Sequence, residues 1–124
     1  MLTAAYLLVV CSLLSWCGPC RSFTPVLRQL YSDSLKKQGV EVVFVSSDQD
    51  EDSFRGYYGE MNWLALPFDE REIKENLASA YRVQGIPSLI VLNGATGKTI
   101  SADGRSDVMR HKGDVAAHWL SLVK

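Results

Sequence analysis

The chain has 124 residues, 47% hydrophobic and 22% charged, with a formal net charge of -1. That length fits one domain over residues 1–124 with a core large enough to fold without staples, and the near-zero charge argues against nucleic acid or a membrane surface as the main partner. Its three cysteines include only one close pair, which is not the framework of a small secreted protein and points to a reducing compartment.

The first strong signal is the apolar run Tyr6-Leu7-Leu8-Val9-Val10-Cys11, expected as a central parallel strand. Residues 2–16 also look like the core of a signal peptide. They lack its positive start, however, are shorter than the roughly 20 residues a bilayer span needs, and include the strand that must present the next motif. After a short loop at residues 12–15, Trp16-Cys17-Gly18-Pro19-Cys20 opens a helix. Thiols three positions apart at a helix start share one face and can close a small disulfide ring. The free N–H groups and macrodipole there favour negative charge, so Cys17 should ionise more readily than a free cysteine and act as the nucleophile. Cys20, one turn deeper, should resolve the mixed disulfide. Gly18 permits a tight helix entry, Pro19 fixes φ in the first turn, and Trp16 offers an apolar docking wall. A zinc site is the competing reading, but it needs four ligands, and Cys11, His111 and His118 do not stand at ligand spacing. The histidines read as structural or surface residues.

The helix should run over residues 19–38, kinked at Pro25 and stopped by Gly39. Val40-Glu41-Val42-Val43-Phe44-Val45-Ser46 reads as a second buried parallel strand. Asp48 with Glu51 three residues on predicts a capped helix carrying Phe54, Tyr57 and Tyr58 inward. Residues 61–68 read as irregular but apolar. Asp69 should cap a helix bearing Ile73, Leu77, Ala80 and Tyr81. Strands are expected at 88–92 and 98–102, joined by a hairpin turn over 93–97, and a last helix at about 114–123. The order β-α-β-α-α-β-β-α gives an α/β fold, a mixed four-stranded sheet flanked by helices on both faces, with the cysteine pair at the C-terminal end of the first strand.

Gly85-Ile86-Pro87-Ser88 precedes the third strand and in this architecture faces the cysteine pair. A cis Ile86–Pro87 peptide would expose the Ile86 backbone to an extended peptide and keep a metal-binding side chain away from the sulfurs; an ordinary proline opening a strand is the alternative.

Through Trp16 to Cys20 and Gly85 to Ser88 the chain resembles the thioredoxin superfamily. It is similar more narrowly to the tryparedoxin and nucleoredoxin branch. That narrower resemblance rests on Cys20-Arg21-Ser22-Phe23-Thr24-Pro25-Val26-Leu27, on Val42-Val43-Phe44-Val45-Ser46 and the acidic run to Phe54 and Tyr57-Tyr58, and on Met61-Asn62-Trp63-Leu64-Ala65-Leu66-Pro67-Phe68. It implies the thioredoxin fold and a protein-disulfide reductase of the cytosol or nucleus. It also implies that Trp63 and Phe68 border the active face, although core packing is their default reading. Arg21 either adds positive potential near the thiolate or is a solvated charge.

Two features depart from the branch and a third from ordinary thioredoxins. Gly18-Pro19 stands where it usually has Pro-Pro. Only residues 1–5 precede the first strand, leaving one flank of the sheet bare and open to pairing with a second copy of the chain. Cys11 occupies the place of the buried acid that relays a proton in ordinary thioredoxins; it reads as a small buried hydrophobe, with a regulatory or intermolecular disulfide as the alternative.

The expected activity is reduction of disulfides in partner proteins, with no cofactor or metal and with electrons from an external thiol reductant or reductase. A redox-gated signalling module with little turnover is the alternative. An oxidase or isomerase of a secretory compartment would need an oxidising pair.

Overall fold

The computed structural model describes residues 7–83 and 85–123. Tyr6 of the expected first strand, the flank at residues 1–5 and Gln84 lie outside them. Strand β1 (Leu7–Leu13) pairs in parallel with β2 (Val40–Ser46) and antiparallel with β4 (Ser88–Asn93). With β3 (Leu64–Ala65) and β5 (Thr99–Ser101) the sheet is five-stranded and mixed, in the order β3-β2-β1-β4-β5. The strand beyond the expected four is β3, which pairs with Val43 and Phe44 inside the segment read as irregular. Two residues are too few to show an alternating pattern.

The helices are α1 (Gly18–Leu30), α2 (Glu51–Tyr58), α3 (Arg71–Ala80), α4 (Gly104–His111) and α5 (Val115–Ser121). The expected long helix is three segments: α1 runs through Pro25, then a π-helical turn covers Tyr31–Leu35 and a 3-10 turn covers Lys36–Gln38. The Ser32-Asp33-Ser34 stretch favours regular helix weakly. Gly39 terminates the run in the left-handed conformation at φ 81°, as its sequence position implied.

Helix α2 is capped by Asp50 rather than Asp48, the Asp50 carboxylate accepting the Ser53 N–H at 3.0 Å. Helix α3 starts after Glu70 with no side-chain cap from Asp69. The last expected helix is α5, and α4 is additional. Its buried face is Gly104, Asp107 and Val108, so it carries almost no apolar periodicity to read.

Because side chains alternate across a strand, β1 serves two cores. Leu7, Val9, Cys11 and Leu13 join the larger one with Phe23 and Leu27 of α1, Phe54 and Tyr57 of α2, and Val115 and Trp119 of α5. Val10, on the other face, joins Val45, Ile90 and Leu92 beneath Leu77, Tyr81 and Val83. Helices therefore lie on both faces, with α1 held over the C-terminal edge where β1 delivers the chain.

Candidate functional site

Strand β1 ends at Leu13, and a turn over Ser15 and Trp16 brings the chain to Cys17, the N-cap of α1. Cys17 is extended at φ -94° and ψ 114°, and its sulfur accepts the Cys20 backbone N–H at 3.2 Å. Pro19 sits within the first turn, where a missing N–H leaves no helical bond unmade. Cys17 and Cys20 are joined as a disulfide with their Cα atoms 5.2 Å apart. They differ in access: Cys17 is half-buried, whereas Cys20 is 0% exposed within the larger core.

Behind Cys20 lies a chain of buried hydroxyls. The Thr24 hydroxyl donates to the Cys20 carbonyl at 2.9 Å and stands 2.6 Å from the Tyr57 hydroxyl. A threonine has one hydroxyl hydrogen, already committed to the carbonyl, so Tyr57 is the donor in the second bond. Burial pushes the Tyr57 phenol above its usual range, which keeps that hydrogen in place. Cys11 is fully buried in the same core, and desolvation pushes its thiol far up; it is a neutral packing group.

In front of the pair, Arg21 forms an ion pair with Glu60 at 3.0 Å and lies 5.0 Å over the Tyr57 ring. Its Nε donates to the Ser15 carbonyl. The Ser15 N–H and hydroxyl donate to the buried carboxylate of Asp48, at 3.0 and 2.7 Å to Oδ1.

Among the other expected site residues, Trp16 is 76% exposed beside Cys17, and Gly18 and Pro19 are exposed. The Ile86–Pro87 peptide is cis, and both residues are half-buried and line a groove of about 1210 Å³ together with Arg82, Arg105 and Arg110. Trp63 is 4% exposed and packs edge-on to Tyr31 with ring centroids 5.9 Å apart, so the structure places it in the core. Phe68 is half-buried against Phe54, with the Arg71 guanidinium 4.1 Å over its ring. His111 and His118 stack on one another, 4.1 Å between centroids, beside Asp107 on α4 and α5. Among the described residues no group of three His, Cys, Asp or Glu side chains could hold a metal ion.

The sequence reading missed two parts of this site. Asp48 looked like a helix cap, and only its partner 33 residues away reveals the different role. Thr24 and Tyr57 carried no motif, although a threonine one turn beyond a buried cysteine is the signal that could have found them.

A family model described as thioredoxin-like matches residues 5–99. The tryparedoxin of Trypanosoma brucei brucei is 42% identical over 105 residues, covering 85% of this chain and 73% of that protein. Bovine nucleoredoxin is 45% identical over 96 residues, 76% of this chain but only 22% of that protein. A solved structure of tryparedoxin from Trypanosoma brucei superposes with a TM-score of 0.88 at 38% identity, covering 94% of this chain and 81% of that one.

Proposed function

The chain belongs to the thioredoxin-like family, a redox protein related to tryparedoxin and nucleoredoxin, and on that premise we propose that it reduces disulfides in partner proteins. The observation that carries this reading is the unequal access of two bonded sulfurs, Cys17 half-buried at a helix N-terminus and Cys20 fully buried behind it.

In the reduced state, the Cys17 thiolate attacks one sulfur of the partner's disulfide. The partner's other sulfur leaves as a thiolate and takes up a proton. Cys20 then loses its proton and attacks the Cys17 sulfur of the mixed disulfide, releasing the partner's second thiolate. Two electrons have passed to the partner, and Cys17–Cys20 is left oxidised. An external thiol reductant or reductase restores the dithiol by the same exchange in reverse. The free N–H groups of the first turn of α1 stabilise Cys17 as attacking and leaving thiolate alike. Exposed Trp16, and Ile86 and Pro87 in the lining of the groove, are the surfaces we assign to the partner. Trp63, being buried, would act on that surface only through the exposed Leu64 that follows it.

Reduction of insulin in the presence of dithiothreitol tests this. Wild type should precipitate the insulin B chain well ahead of the uncatalysed reaction, and Cys17→Ser should not. A wild type no faster than Cys17→Ser overturns the reading. The kinship with nucleoredoxin, of which the chain spans about a fifth, supports a second reading: a redox-gated interaction module whose dithiol and disulfide forms bind a partner differently. That reading predicts slow insulin reduction but partner binding that changes with oxidation. Both readings require a reducing compartment, which we take to be cytosol or nucleus; no described helix is long and apolar enough to cross a membrane.

A further inference from the structure

Ser15 is the last anchored residue before the attacking sulfur. Trp16, between Ser15 and Cys17, is 76% exposed, so its side chain does little to fix the path of the chain. The Cys17 N–H donates to the Leu14 carbonyl across the turn at 3.4 Å, and Ser15 between them is gripped from two sides. From one side Asp48, 3% exposed, accepts the Ser15 N–H with both carboxylate oxygens, at 3.0 and 3.1 Å, and the Ser15 hydroxyl at 2.7 Å. From the other side Arg21 donates its Nε to the Ser15 carbonyl.

Asp48 is itself tied down. Its N–H donates to the Ser46 hydroxyl at 3.0 Å, at the end of β2, and that hydroxyl lies 3.4 Å from Oδ2. A buried carboxylate is costly unless its lone pairs are filled, and here donors from Ser15 and Ser46 fill them. Bonds to an ionised acceptor are the stronger class. The cap of α2 is made by Asp50, so Asp48 is not needed for that helix.

We propose that Asp48 is a positioning residue for the dithiol: gripping Ser15, it holds the turn that sets Cys17 over Cys20. The site thus takes a buried acid from the loop that follows β2, two residues beyond the strand's last residue Ser46, while Cys11 on β1 is an apolar packing group. The acid acts through the backbone of Ser15. A pair of thiols held in register closes its disulfide more readily than a loose pair, because less freedom is lost on bonding. The grip should therefore favour the oxidised ring and the resolving step that forms it.

The role bears on the proposed reductase reaction but can be read without it. The purified protein is equilibrated with reduced and oxidised glutathione, and the dithiol and disulfide forms are counted after acid quench and thiol labelling. Wild type is compared with Asp48→Ala, Asp48→Asn and Ser15→Ala, and melting temperature is recorded alongside. We expect Asp48→Ala to lower the equilibrium constant for ring closure by about tenfold. Asp48→Asn, which keeps the shape and one acceptor oxygen, should fall between, and Ser15→Ala, which removes only the hydroxyl bond, should lose about threefold. Ring-closure constants equal to wild type in folded Asp48→Asn and Ser15→Ala overturn the proposal, even if melting falls. Failure of wild type to reduce insulin would instead remove the reductase reading and leave this equilibrium to decide the grip.

Discussion

Cys11 on β1, Cys17 at the cap of α1 and Cys20 inside α1 show how strongly position governs a thiol. Cys11 sits at 0% exposure on β1, where no charge is near enough to compensate for desolvation, and its thiol stays protonated. Cys17 caps a helix N-terminus with part of its surface in water. Iodoacetamide applied to the reduced native protein at pH 8 should therefore modify Cys17 and spare Cys11 until denaturant is added, as mass spectrometry of tryptic peptides will show. Labelling of Cys11 in the folded state would mean that β1 is not buried as described. At this scale the pairing of Cys17 with Cys20 was legible, because it depends on residues three apart. Asp48 was not: its function is a contact with Ser15, and local sequence offered only the nearer helix as its partner.

Elements whose faces carry an apolar repeat were read from sequence, and those held by other means were missed. Strands β1 and β2 are runs of Leu and Val, the latter β-branched, that fit a buried sheet. Helix α4 is held instead by a glycine and a buried carboxylate. At Gly104 an added Cβ would lie 2.9 Å from Leu89 Cβ and 3.0 Å from the Leu89 carbonyl oxygen, so α4 crosses β4 at a distance no other residue allows. Gly104→Ala should cost about 1–3 kcal/mol in urea unfolding, since the clash includes rigid backbone.

Asp107 joins α4 to α5 and β5. It accepts from the Ser101 hydroxyl and from Trp119 Nε1 at 2.9 Å, with Arg110 at 3.3 Å. Burial alone would raise its carboxyl. The bonds from Ser101 and Trp119, with the nearby His118 and Arg110, outweigh that and hold it below the usual carboxylate range. A depressed native value means that the unfolded chain binds the proton first as pH falls. The stabilisation is therefore complete above the unfolded carboxylate value of about 3.9 and fades as pH drops from there through the native value. Asp107→Asn should be less stable than wild type by about 1–3 kcal/mol at pH 7. The gap should narrow below about pH 3.9, measured by urea midpoints across pH. A gap that widens in acid would reverse the assignment.

Across the whole molecule the two sheet faces are unequally covered. The larger core takes residues from α1, α2, α4 and α5, whereas on the opposite face α3 has no fully buried residue. Leu77 and Tyr81 hold it there, together with the Tyr81 hydroxyl donating to the Gly97 carbonyl at 2.9 Å, and a cavity of about 230 Å³ is lined by Leu77 and Ala78 of α3 together with Val10 and Val45. Regions with little buried contact open first, so α3 amides should exchange with solvent deuterium faster than those of β1 and β4. Equal protection would contradict the division into a strong and a weak face. The dithiol belongs to the strong face, on a helix anchored by Phe23 and Leu27, and this leaves Cys17 half-buried while Cys20 stays enclosed. Its assigned roles are tested most directly by mixing the reduced single-cysteine variants with a disulfide-containing peptide and weighing the products. Cys20→Ser should accumulate a stable mixed disulfide through Cys17, while Cys17→Ser leaves Cys20 unreacted; the reverse pattern, with Cys20 capturing the peptide, would contradict the account.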